Sequence, residues 1–123
     1  MNNELIIKKC SRCGAIVKVL EGKEFKITCC GEEMKELAPN SVDAAVEKHV
    51  PIYEKVGEEL QVKVNHVMEE EHFIEWISLV SENKEYTVKF KAGETAETTL
   101  PYIAGATLYA YCNKHGLWSA EVK

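Results

Sequence analysis

From about residue 42 onward, apolar and polar side chains alternate along the chain with the period of a β-strand. Leu60, Val62, Val64 and His66 are interleaved with Gln61, Lys63 and Asn65, which puts one face of the segment in a core and the other in water. Residues 73–80 (FIEWISLV) form a nearly continuous apolar run and read as a more deeply buried strand. Tyr86, Val88 and Phe90 return to alternation, and Ser81-Glu82-Asn83-Lys84 and Lys91-Ala92-Gly93-Glu94 supply the intervening turns. Further strands are expected over roughly residues 98–103, 107–112 and 117–122. Short strands at regular spacing, without a convincing amphipathic helix, predict an all-β fold, an immunoglobulin-like β-sandwich. Its aromatic residues, Trp76 and Trp118 among them, are assigned to the core with no separate chemical role.

The first forty residues break this pattern. They read as short strands around two cysteine turns, and the one linker-like stretch, Leu37-Ala38-Pro39-Asn40-Ser41, marks a boundary between a small unit over residues 1–37 and a larger one over residues 38–123. A unit as short as the first buries too little surface to be stable without metal or a partner subunit, so a homodimer is expected.

Charge and composition narrow the class. The formal charge of −5 and the lack of a basic run argue against nucleic acid as a partner, because phosphate binding needs clustered Lys and Arg. Acidic patches leave room for a protein partner. Met1-Asn2-Asn3-Glu4-Leu5-Ile6-Ile7-Lys8-Lys9 holds an acidic residue and only three consecutive apolar ones, so no signal peptide is expected. Residues 73–80 contain Glu75 and are too short to cross a bilayer, so no membrane role is expected either. Five cysteines would leave one thiol unpaired in a disulfide scaffold, and a reducing, cytoplasmic setting suits them better.

The five cysteines and four histidines divide into two sets with none left over. Cys10-Ser11-Arg12-Cys13-Gly14 has the spacing that lets two thiolates face one cation, with Gly14 permitting the tight turn. Cys29-Cys30-Gly31 supplies a second pair. Adjacent cysteines point to opposite faces of a regular strand, so the backbone must bend for both sulfurs to reach one ion. A vicinal disulfide would leave Cys10 and Cys13 unexplained, and a thioredoxin-like pair lacks its βαβ surroundings. Four thiolates alone do not decide between structural zinc and iron.

The second set is rich in nitrogen. His66 and His72 bracket five residues, so one loop brings both imidazoles to one cation, and Cys112-Asn113-Lys114-His115-Gly116 offers a thiolate and an imidazole three residues apart. Any one histidine is more often an ordinary surface or core residue, but His49, His66, His72, His115 and Cys112 together exhaust the inventory. Five ligands exceed tetrahedral zinc. Four imidazoles in a square with an axial thiolate suit iron and leave a position open for substrate.

Glu47-Lys48-His49-Val50-Pro51, His66 and His72 followed by Ile74-Glu75-Trp76, and Cys112-x-x-His115-Gly116-Leu117-Trp118 resemble the iron centre of superoxide reductases. The Cys-x-x-Cys of residues 10–13 and the Cys-Cys-Gly-Glu of residues 29–32 resemble a desulforedoxin module. Together they resemble the desulfoferrodoxins, two-iron superoxide reductases with a neelaredoxin-like catalytic domain, over essentially the whole chain.

That resemblance implies one-electron reduction of superoxide, with two protons, to hydrogen peroxide, for detoxification. It implies two irons per chain. One is held by Cys10, Cys13, Cys29 and Cys30, with zinc a possible substitute, and serves as a secondary redox centre. The other is held by His49, His66, His72 and His115 in a plane with Cys112 axial, and superoxide binds opposite the sulfur. Glu47 then matches the residue that ligates the oxidised iron, and Lys48 the residue that attracts the anion and helps protonation, although such neighbours are commonly a plain solvated pair. A rubredoxin-like donor is implied as well. The alternatives are an iron protein that only transfers electrons and a zinc-binding structural module.

Overall fold

The computed structural model describes residues 4–22 and 24–123. Met1, Asn2 and Asn3, the start of the segment weighed above for a signal peptide, and Lys23 lie outside the described residues. The chain forms two compact units, Leu5–Ala38 and one made chiefly of Pro39–Lys123. Among the described residues no helix is long and apolar enough to cross a membrane.

In the smaller unit, β1 (Ile6–Lys9) pairs antiparallel with β2 (Ile16–Val19) and with β5 (Lys35–Glu36). A two-residue ladder joins β3 (Thr28–Cys29) to β4 (Glu32–Glu33). Such short strands bury little, and Leu5, Ile7, Cys10 and Met34 are its buried apolar residues. Lys8 is buried beside them. Its Nζ donates to the Phe25 carbonyl at 2.9 Å and lies 4.3 Å from the centre of the Phe25 ring, so the charge is both hydrogen-bonded and faced by π density.

The larger unit is a β-sandwich. One sheet holds β6 (Ile52–Val56), β7 (Glu59–Lys63) and β10 (Glu97–Pro101) in the order β10-β7-β6. The other holds β8 (Ile74–Val80), β9 (Glu85–Lys89), β11 (Thr107–Cys112) and β12 (Gly116–Glu121) in the order β12-β11-β8-β9. All pairs are antiparallel. Leu60, Val62 and Leu100 of the first sheet pack with Ile77, Leu79, Leu108 and Ala110 of the second, all essentially out of water. Residues 108, 110 and 112 share one face by the two-residue period, which brings Cys112 into this core.

Three features depart from the alternation. Strand β7 stops at Lys63, and the chain leaves the sheet before His66. Strand β6, unanticipated above, exposes about half of Ile52 and Val56, so its apolar residues do not mark a buried face. In β8, Trp76 pairs with Tyr111 but Ile74 pairs with Cys112, so Glu75 is an extra, bulged residue. A bulge turns the strand locally, and this one lies opposite Cys112.

Candidate metal centres

In the smaller unit, Cys10 follows β1 and opens a tight turn. Its carbonyl accepts the Gly14 N–H at 3.0 Å and its sulfur accepts the Cys13 N–H at 3.4 Å. The bend required by the adjacent cysteines is made at Cys30, whose φ of 54° is left-handed, followed by Gly31 at 79°. That geometry is uncommon for a residue with a side chain, and here it turns both sulfurs to one side. Cys13 and Cys29 sulfurs lie 3.7 Å apart, Cys29 and Cys30 sulfurs 3.8 Å apart, and all four within 4.8 Å of one another. A tetrahedron at the usual metal–sulfur distance of about 2.3 Å has edges of about 3.8 Å. The donor set therefore fits a single thiophilic ion.

The acid–base balance of the four sulfurs is uneven. The Cys13 and then Arg12 backbone N–H groups lower the Cys10 thiol to about 6, while hydrogen bonds with Cys13, Cys10 and Cys30 push Cys29 up to about 12. Cys30 is raised as well, chiefly by Cys13. Four sulfurs this close do not all carry charge unaided, and a shared cation removes that conflict. Beside them, Arg12 Nε pairs with Glu32 Oε1 at 3.1 Å, and the Ser11 hydroxyl donates to the same oxygen at 3.0 Å.

In the sandwich, the second group gathers from four connections. His49 follows the three-residue 3-10 helix Val46–Lys48, His66 lies beyond β7, His72 precedes β8, and Cys112 and His115 flank the turn between β11 and β12. The imidazoles form a ring in the order His49, His66, His72, His115, with neighbouring centroids 4.6 to 4.9 Å apart and planes inclined by 70 to 89°. His115 Nδ1 lies 3.1 Å from His49 Nε2 and 3.3 Å from His72 Nε2, and the Cys112 sulfur lies 3.4 Å from His66 Nε2. Four nitrogens in a square at about 2.1 Å from a metal stand about 3.0 Å from their neighbours. The arrangement fits one ion held by four nitrogens and one sulfur.

Hydrogen bonds settle the ring tautomers. His49 Nδ1 lies 2.7 Å from the Ala45 carbonyl, and His66 Nδ1 contacts the Val67 carbonyl. A carbonyl only accepts, so Nδ1 carries the proton in both and Nε2 is left with its lone pair toward the centre. Burial, opposed by the Val67 contact, lowers the pKa of His66, and burial followed by repulsion from His115 lowers that of His72. Both shifts favour the neutral, ligating imidazole.

A cavity of about 480 Å³ opens onto the ring, lined by Ala45, Lys48, Val67 and Glu69 together with His49, His66, His72 and His115. Cys112 is fully buried and does not line it. Glu47 is exposed on the same short helix as Lys48, outside the lining. A larger hollow of about 850 Å³ lies over β6, β7 and β10. It contains no His or Cys, so the chemistry belongs to the smaller one.

Trp118 has a role beyond filling the core. Its ring stacks on His49 at 4.9 Å and 23°, and its Nε1 donates to the His115 carbonyl at 2.9 Å. One buried side chain thus braces two members of the ring. The sequence holds a hint in the position of Trp118, three residues after His115, but contact with His49 depends on the fold.

The desulfoferrodoxin family's sequence profile matches residues 41–121, and the profile of that family's N-terminal domain matches residues 2–37. The desulfoferrodoxin of Syntrophotalea carbinolica is 46% identical over 125 residues, which cover 98% of this chain and 99% of the relative. The desulforedoxin of Megalodesulfovibrio gigas is 50% identical over 34 residues, 28% of this chain and 92% of its own. Among solved structures, the superoxide reductase from Treponema pallidum superposes with a TM-score of 0.75 at 28% identity, covering 96% of this chain and 99% of that one.

Proposed function

The chain belongs to the desulfoferrodoxin family, and on that premise we propose that it is a superoxide reductase, adding one electron and two protons to superoxide to give hydrogen peroxide. The observation that carries the reading is the ring of four imidazoles, open to a cavity that holds Lys48 and backed by a buried thiol. A ferrous ion held there would supply the electron, and the Cys112 thiolate would strengthen its donating power. His49, His66, His72 and His115 would hold the ion through ring nitrogens, and Cys112 would add the anionic sulfur. Lys48 at the rim offers local positive potential to an anion approaching a chain of net negative charge. Glu47, exposed on the same short helix, would be the carboxylate available to the ion in the oxidised protein.

The four-cysteine unit, residues 1–37, takes iron as a secondary redox centre, and zinc satisfies the same four sulfurs. Residues 38–123 carry the reaction. A rubredoxin-like donor in the cytoplasm returns the electron, and the protein works as a homodimer. Rapid mixing of reduced protein with superoxide tests the proposed activity. Peroxide should form without oxygen release. Oxygen release would indicate dismutation, and unaccelerated loss of superoxide would leave a protein that only carries electrons.

A further inference from the structure

Asn113 sits in the turn between the two proposed ligands Cys112 and His115, but its side chain reaches the loop that precedes β8. Its Oδ1 accepts the Phe73 N–H at 3.0 Å, and its Nδ2 donates to the Glu71 carbonyl at 3.0 Å. Its own N–H donates to the Phe73 carbonyl at 3.3 Å. The gripped residues are those immediately before and after His72. One side-chain amide thus spans His72 and ties it to the turn bearing Cys112 and His115.

His72 needs this more than the other three histidines. The Nδ1 atoms of His49 and His66 are held by carbonyls, and the His115 carbonyl is held by Trp118. Among the described residues no hydrogen bond holds Nδ1 of His72, so the backbone on either side must set its ring. The turn in which Glu69 and His72 exchange backbone hydrogen bonds at 3.0 Å shapes the loop, but does not join it to β11. Only an amide offers a donor and an acceptor side by side at the end of so short a side chain. Aspartate keeps the acceptor for Phe73 and loses the donor for Glu71. Alanine loses both.

We propose that Asn113 is a positioning residue, holding His72 in the ring by fixing both of its peptide neighbours and so setting the metal affinity of the centre. The proposal rests on the ligand assignment made above. Anaerobic titration of the apo-protein with Fe²⁺ against a chelator, read on the absorption of the histidine–cysteine centre, tests it. Asn113→Ala should weaken binding by about 10- to 100-fold, the usual cost of losing a group that orients a ligand. Asn113→Asp should fall between the native protein and the alanine variant, and decides by the same criterion if the alanine variant fails to fold.

Tyr102→Phe is the control. It removes a side-chain bond to the Lys123 carbonyl at 2.7 Å, and should change affinity by about twofold or less, as expected of a site not coupled to the ligands. In a His72→Ala background, Asn113→Ala should cost nothing more, because its effect passes through that imidazole. Native affinity in Asn113→Ala and Asn113→Asp, or a full additional loss on top of His72→Ala, would overturn the proposal. Native affinity in His72→Ala itself would instead overturn the ligand assignment.

Discussion

The two groups of ligands are built by opposite means. In Leu5–Ala38 the sulfurs stand in for a core: Cys10 is buried with Leu5, Ile7 and Met34, the strands span two to four residues, and Cys13 and Cys30 face water. In the sandwich, a core of Leu60, Val62, Ile77, Leu79 and Leu108 takes in Cys112 at the end of β11 but none of the four imidazoles, which hang from loops and are braced by carbonyls, Trp118 and Asn113. A metal ion would therefore be folding energy in the first unit and a passenger on a preformed scaffold in the second. The same contrast separates a closed four-sulfur set, suited to holding an ion and exchanging electrons, from an open ring suited to admitting a small anion.

The contrast can be broken most directly by removing metal. Chelation should unfold the smaller unit, since a structural zinc ion in a zinc-finger peptide is worth roughly 10–16 kcal/mol to a fold of similar size, while the sandwich stays folded. Amide hydrogen exchange should show protection lost in β1 and β2 and kept in β8 and β11. Simultaneous loss in both units would contradict it. Next in size, Trp118→Ala should destabilise the sandwich by about 3–5 kcal/mol, the range for truncating a buried aromatic, and leave exchange in the smaller unit unchanged. Trp118→Phe keeps a ring against His49 but leaves the His115 carbonyl unpaired, a loss of about 1–3 kcal/mol. Urea unfolding of both variants measures the difference.

A smaller effect comes from pH. The folded apo-sandwich holds His66 and His72 below their ordinary 6.5, so below that value the unfolded chain binds more protons than the folded one. Stability then rises with pH across that window and is lost as pH falls from 6.5 toward the lowered values. The urea midpoint of the apo-sandwich should drop between about pH 7 and pH 5. A flat midpoint would show that neither imidazole is held neutral by the fold. The smallest expected effect is none: Cys30→Ser should lose the four-sulfur iron, yet reduce superoxide at the native rate. A slowed reaction with the histidine-centre iron fully bound would mean that the two centres do not divide the work.

The period-two alternation of Leu60, Val62 and Val64 was enough to establish the all-β class, because burial of one strand face is written locally in the chain. The nine cysteines and histidines were equally visible, since few other side chains bind soft or borderline metals, and their spacing in Cys-x-x-Cys and Cys-x-x-His pointed to the family. Alternation says that a residue faces inward, however, and not what it meets there. That Trp118 stacks on a histidine 69 positions earlier, that Asn113 brackets His72, and that a bulge at Glu75 lies opposite Cys112 are matters of register between distant strands. The short helix presenting Lys48 is likewise too brief to leave a period. Such contacts are set by how strands pair and sheets stack, which is why the inventory of ligands could be read from the sequence while the side chains that hold them in place were decided by the tertiary structure.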